Sequence, residues 1–284
     1  MKTHAALPVP HLRRGDLYRI YFATRDSDSR SRIGFVELRL REPQSILNIS
    51  EAPVLDIGAL GDFDHYGVLP ACIVDHQSQV YLYYNGWDRG ADVNRYFVGL
   101  SISDDGGTTF RKIANVPILD RSREDPYFCA SPFVIIEDGK WRMWYSSAIN
   151  WKRVADRSVP RYHLKYAESD DGITWQAKGV ICIGLESDDE WAIARPTIAK
   201  ENGTYKMLYS YSRGSKGYRI GYAESQDGLR WVRMDEIAGL DVSTTGWDSE
   251  MVCYPYMFEH EGVKYVLYNG NRFGRTGFGY AVEE

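Results

Sequence analysis

Short apolar and aromatic runs alternate with polar turn dipeptides along the whole chain. The clearest instance is residues 188–231. There an acidic, aromatic lead-in (Asp189, Glu190, Trp191) precedes an apolar run containing Pro196, and Asn202-Gly203 leads into an aromatic run, Tyr205 to Tyr211. A polar loop and a second run, Tyr218 to Ser225, close on Gln226-Asp227-Gly228, with Trp231 beyond. Asn-Gly and Asp-Gly tolerate positive φ and join antiparallel strands, so the pattern predicts an up-and-down meander.

The unit recurs. Its proline has counterparts at Pro8, Pro70, Pro132 and Pro255, so that successive prolines stand 62, 62, 64 and 59 residues apart. After each proline an aromatic strand follows, beginning at Leu17, Val80, Lys140, Thr204 and Val263. A further strand begins at Arg32, Tyr96, His163, Arg219 and Gly277; three of these run on through a glycine turn to Phe110, Trp175 and Trp231. Radial repetition of small twisted sheets, each burying its faces against its neighbours, predicts an all-β, five-bladed β-propeller with antiparallel blades of three to four strands around a central pocket. The predicted blades are approximately 1–58, 59–121, 122–185, 186–245 and 246–284, in one domain over 1–284. The fifth lacks an outermost strand, and closure of the ring falls to packing between blades or to the termini.

Composition adds little to the fold and more to the function. The chain is 44% hydrophobic and 26% charged, and its 21 Tyr and 8 Trp suit half-buried pleated surfaces first and sugar faces second. A net charge of −5 with no basic stripe argues against nucleic acid as a partner. No window approaches the roughly 18 apolar residues of a membrane span, and the opening residues lack the apolar core of a signal peptide. Cys72, Cys129, Cys182 and Cys253 have no CxxC spacing and lie in strand-like runs, which predicts buried, reduced thiols and a cytoplasmic location. The six histidines show no metal-binding spacing, so neither a metal nor a cofactor is expected, although His65 and His4 come near the predicted mouth.

Topology brings the lead-ins before each proline and the loops after each aromatic strand to one mouth of the pocket. Four of the five lead-ins carry carboxylates: Asp62 and Asp64, Glu124 and Asp125, Asp189 and Glu190, Asp248 and Glu250. Returning loops add Asn85, Trp87, Ser147, Asn150, Trp151, Arg213, Asn269 and Asn271. Acids, amides and indoles converging on a concave pocket are what sugar chemistry requires. Glycosidic cleavage needs one protonated acid and one ionised carboxylate, and crowding separates their pKa values. Such acids also cap turns or pair with arginine, and Arg195 is available for that.

The text FDHYGVLP, YYNGW, RSREDPYFCASPF, WRMWYSS, ARPTI, IGYAESQDGLRW and WDSEMVCYPY resembles the five-bladed propeller glycosidases of the family 43 and family 32 type. It is more similar still to their relatives encoded with bacterial surface-polysaccharide genes. The resemblance implies a base, a pKa modulator and a general acid on three successive inner strands, carried here by order to Asp64, Asp125 and Glu190. It departs in having His4 on the first blade and Glu250 as an extra acid. The expected function is a glycosidase-like hydrolase or sugar transferase acting on a glycosidic or activated-sugar bond in surface-polysaccharide metabolism. Asp64, Asp125, Glu190 and Glu250 are the expected catalytic groups. His65, Asn85, Trp87, Tyr127, Trp191, Arg195, Arg213 and Asn269 are expected to bind a sugar or sugar nucleotide, with Arg195 taking an anionic group. A non-catalytic carbohydrate-binding or accessory protein of polysaccharide biosynthesis is the alternative.

Overall fold

The computed structural model describes residues 2–90, 92–154 and 157–283, and is almost entirely β. The strands fall into five consecutive antiparallel meanders. The first is β1 (Thr3–Arg14), β2 (Leu17–Arg25), β3 (Ser31–Arg39) and β4 (Glu42–Ile49). The second is β5 (Gly67–His76), β6 (Gln79–Arg89), β7 (Asn94–Ser103) and β8 (Arg111–Lys112). The third is β9 (Cys129–Glu137), β10 (Lys140–Val154), β11 (Arg157–Ser169) and β12 (Gln176–Ile183). The fourth is β13 (Glu190–Glu201), β14 (Thr204–Arg213), β15 (Arg219–Ser225) and β16 (Val232–Arg233). The last has three strands, β17 (Cys253–His260), β18 (Val263–Asn269) and β19 (Phe278–Val282). Asn150 and Trp151, expected in a returning loop, lie within β10, because β10 and β11 extend as a longer hairpin.

Burial follows position in the meander. The aromatic strand β6 is buried over most of its length and β10 through its first half, Trp141 to Ala148, whereas β4 is exposed along nearly all of its eight residues. A middle strand covered on both faces by neighbouring meanders needs large apolar residues on both, and Tyr83, Tyr84, Trp144, Tyr145 and Tyr209 supply them.

Two repeated contacts tie one meander to the next. Tyr21 Oη donates to the Gly107 carbonyl at 2.6 Å, Tyr83 Oη to Gly172 at 2.8 Å, and Trp144 Nε1 to Gly228 at 2.7 Å. Each acceptor sits in a Ser-x-Asp-containing turn, where Ser103, Ser169 and Ser225 accept the glycine N–H groups. Gly107 has φ +82, and a Cβ there would stand 2.2 Å from Tyr21 Oη, so no other residue fits without displacing that ring.

The second contact starts from the prolines. Proline cannot donate to the ladder, and each of the five proline strands carries a register shift beside its proline, at Ala6/Val9, Pro70/Cys72, Ala130/Phe133, Ala194/Thr197 and Cys253/Tyr256. Before four of these five prolines the preceding residue, Leu7, Ser131, Arg195 or Tyr254, has positive φ, between 52 and 58. Backbone N–H groups freed from the ladder seek acceptors on the adjoining meander. Ser131 N–H donates to Asn85 Oδ1 at 2.5 Å, and Tyr254 N–H to Ser210 Oγ at 2.7 Å. Leu7 N–H donates to Asn269 Oδ1 at 2.7 Å, across 262 residues, so the last meander meets the first through a side chain. Among the described residues no strand pairing joins β17–β19 to β1–β4.

Candidate functional site

A cavity of about 310 Å³ draws its lining from all five meanders. Its floor is made at the bulges, by Leu7, Leu69, Ser131, Ala194 and Tyr254. Six rings form a continuous wall. Tyr96 packs on Phe128 at 5.4 Å between centroids and Phe128 on Tyr162 at 5.8 Å. The Tyr162 and Tyr218 hydroxyls touch, and Phe273 packs on Tyr218 at 5.7 Å and on Tyr254 at 6.1 Å. Burial pushes the Tyr162 phenol up to about 12 and raises Tyr96, Tyr218 and Tyr254 as well, so all four are neutral hydroxyls at pH 7. Polar lining comes from His4, Arg25, Asn85, Ser131 and Ser146. Among the described residues no carboxylate lines the cavity.

The four carboxylates expected to be catalytic are elsewhere, and the structure does not bring them together around this cavity. Asp64 is buried, accepts from Tyr84 Oη at 2.9 Å and pairs with Lys112 at 2.7 Å. Asp125 is buried, accepts from Tyr145 Oη at 3.0 Å and pairs with Lys165 at 3.1 Å. Glu190 is buried beneath the Arg233 guanidinium, which donates to its two oxygens at 3.0 and 2.9 Å. Glu250 is exposed, and its backbone N–H donates to Asn271 Oδ1 at 2.8 Å. Asp248, not Glu250, completes the series, accepting from Tyr268 Oη at 3.0 Å. The carboxylates recur at one topological position because each receives a tyrosine from the middle strand of its own meander, or in the fourth meander an arginine. That interaction burdens the tyrosines: burial, with the adjacent carboxylate, raises Tyr84, Tyr145 and Tyr268 well above the ordinary phenol value.

Of the eight residues expected to bind sugar, only Asn85 lines the cavity. Trp87 is buried and donates to Ser31 Oγ at 2.8 Å, bridging two meanders. Asn269 is spent on the seam between first and last meanders, its Nδ2 donating to the Ala5 and Gly277 carbonyls at 2.8 Å each. His65 bonds the Asp62 carbonyl at 2.9 Å, Arg213 pairs with Glu186 at 3.1 Å, Trp191 lies under Lys152 at 5.6 Å, and Tyr127 is exposed. Arg195, expected to take an anionic group, does not line the cavity. It lies wholly buried below the floor, donating to the Pro70 carbonyl at 2.7 Å and the Pro8 carbonyl at 3.4 Å. Burial lowers its pKa to about 10, and what it satisfies is the backbone of two inner strands. Among the described residues no three His, Cys, Asp or Glu side chains gather as metal ligands.

Sequence reasoning passed over Arg25, Tyr96, Tyr162, Tyr218, Tyr254 and Phe273. A signal existed: an aromatic repeats in the first half of the third strand or just before it in three meanders, as Tyr96 in β7, Tyr162 in β11 and Tyr218 before β15.

The arrangement defines an all-β protein of the glycoside hydrolase type in fold. A glycoside hydrolase, a glycosyl hydrolase from Bacteroides ovatus and a thermostable family-43 glycoside hydrolase superpose over 99% of this chain. Their TM-scores are 0.79, 0.75 and 0.72 at 18, 16 and 16% identity, covering 87, 84 and 89% of those chains. The Bombyx mori GH32 beta-fructofuranosidase BmSUC1 gives a TM-score of 0.63 at 14% identity, over 99% of this chain and 61% of that one. No protein-family model matches the chain. In sequence the chain belongs to the family of the uncharacterized proteins MT1551 and Rv1502 of Mycobacterium tuberculosis, at 39% identity across all 284 residues and 93% of each relative.

Proposed function

We propose that this chain is a single five-bladed propeller domain that binds a sugar or sugar nucleotide of bacterial surface-polysaccharide metabolism in its central cavity, without a two-carboxylate hydrolytic centre. One observation carries the reading: the cavity common to the five meanders presents aromatic faces, hydroxyls, an amide and a guanidinium, and no acid among the described residues. Aromatic rings stack on the apolar faces of pyranoses, while neutral phenols and amides exchange hydrogen bonds with hydroxyls. Hydrolysis by the usual mechanism needs two carboxyl groups roughly 5 to 9.5 Å apart across the scissile bond. The fully buried acids Asp64, Asp125 and Glu190 are each held by a tyrosine, lysine or arginine. The five-blade reading is supported by the five meanders and by the Asn269 to Leu7 bond between the last and the first.

The test pairs binding with turnover. Saturation-transfer NMR against a panel of nucleotide sugars and oligosaccharides is expected to find saturable binders whose signal disappears in Tyr162→Ala. Aryl glycosides are expected to stay intact. Release of the aryl alcohol by the wild type, abolished in Glu190→Gln or Asp125→Asn at retained fold, would establish the hydrolase reading instead.

A further inference from the structure

Arg25 is the only side chain among the described residues lining the cavity that carries a permanent charge. It ends β2 and is half-buried, and its neighbours in sequence show how unusual its situation is. Arg30 is paired with Asp26 and Asp28, and Arg32 with Asp26 and Asp56, at 2.6 to 3.1 Å. Arg25 has no such acid among the described residues, in a chain whose net charge is −5. Its charge reaches the phenols of Tyr96 and Tyr254 on opposite parts of the wall, opposing the rise that burial imposes on both. His4 lines the same cavity, and both Arg25 and the exposed Arg275 lie near enough to disfavour its protonation, beyond the effect of burial. A second feature faces the same space. Ser146 Oγ is buried, with the residue only 1% exposed, and has no hydrogen-bond partner among the described residues. Its counterparts Asn85, Ser210 and Asn269 each accept a backbone N–H, whereas Ser146 Oγ accepts none among the described residues.

We propose that the cavity recognises its sugar through an anionic substituent, a carboxylate or a phosphate, held by Arg25 with His4 and Arg275 beside it, while Ser146 takes a hydroxyl of the same ligand. The inference rests on the sugar-site reading and narrows it to acidic sugars. Its physical basis is direct. A half-desolvated guanidinium without a counter-charge gains most from a ligand that brings one, and the planar fork matches both carboxylate and phosphate bidentately. A neutral imidazole beside it supplies a donor without adding to the local positive charge. The wall of phenols, neutral at pH 7, adds hydroxyls that donate to anionic oxygens and no repelling charge.

The experiment compares matched acidic and neutral probes at one pH and ionic strength, by NMR titration of the intact chain. D-glucuronate and uronate-containing oligosaccharides form the carboxylate arm, D-glucose 6-phosphate and a nucleotide sugar the phosphate arm, and D-glucose with neutral oligosaccharides the reference. Acidic probes of at least one arm are expected to bind at least about tenfold more tightly than their neutral counterparts, and Arg25→Met to erase that advantage. Arg25→Lys is expected to keep part of it, since charge remains and the fork is lost. Far-UV circular dichroism and the unfolding midpoint check that both variants fold. If neutral probes bind as well as acidic ones, or if folded Arg25→Met keeps the preference, the anion inference falls and the sugar site stands. If no probe of any kind binds the folded wild type, the sugar-site reading falls and the inference with it.

Discussion

Replacing Asp125 by Asn separates a structural carboxylate from a catalytic one. Asp125 is fully buried, and its pair Lys165 is only 6% exposed. The carboxylate meets the ammonium at 3.1 Å and the Tyr145 hydroxyl at 3.0 Å. Asparagine keeps the volume and one acceptor but leaves the Lys165 charge uncompensated in the interior, where breaking a buried pair costs about 3–5 kcal/mol. At roughly 2–4 °C per kcal/mol for a chain of this size, the lower bound lowers the melting midpoint by about 6 °C or more. Adding Lys165→Met removes the stranded charge, so the double variant is expected to recover much of the loss, a coupling measurable in a double-mutant cycle by urea unfolding. Sugar binding by the folded fraction is expected to be unchanged in both variants. The reasoning is refuted if Asp125→Asn unfolds at the wild-type urea concentration yet loses binding or turnover, because the carboxylate would then be acting on a ligand.

Three further outcomes follow from the same contacts. Burial, with the Lys165 charge, lowers the His163 pKa to about 4, so between there and the unfolded value near 6.5 the unfolded chain binds the extra proton. Stability from this residue is full above about pH 6.5 and about 2 kcal/mol of it is gone by about pH 5; urea unfolding at about pH 7.5 and 5.0 should show a difference that His163→Gln removes, and equal pH slopes would count against it. Asn269→Ala strands the Leu7 N–H and two carbonyls at the seam and is expected to cost about 1–3 kcal/mol, with accelerated hydrogen exchange at Leu7; unaltered exchange there would show that the seam does not depend on this side chain. Burial pushes the Cys72 thiol up to about 11 and Cys182 up to about 12, so a thiol reagent at about pH 8 should label none of the four cysteines in the native protein and all four in urea, whereas fast native labelling would contradict their burial.

What the sequence determined by itself is local. Strand starts at Leu17, Lys140, Thr204 and Val263 follow from turn dipeptides and aromatic runs that act over a few residues, and the structure begins strands there. The repeat of carboxylates before each proline was equally visible in the text, but its meaning was not. Asp64, Asp125 and Asp248 each meet a tyrosine 20 residues further on, a spacing present in the sequence that becomes a hydrogen bond only when the proline strand and its neighbour pair. Tertiary structure alone decided which side chains share a cavity. Arg25, Tyr96, Tyr162 and Tyr254 come from four meanders and are neighbours only because the meanders are packed around one cavity. It also decided the fate of Arg195, which reads as an anion clamp in the text. The bulge at Pro196, with φ 55 at the arginine, goes with a side chain buried below the floor, where two inner-strand carbonyls accept its hydrogen bonds. A bulge's direction and a neighbour's distance are set by packing between elements far apart in the chain, and no pattern of nearby residues encodes them.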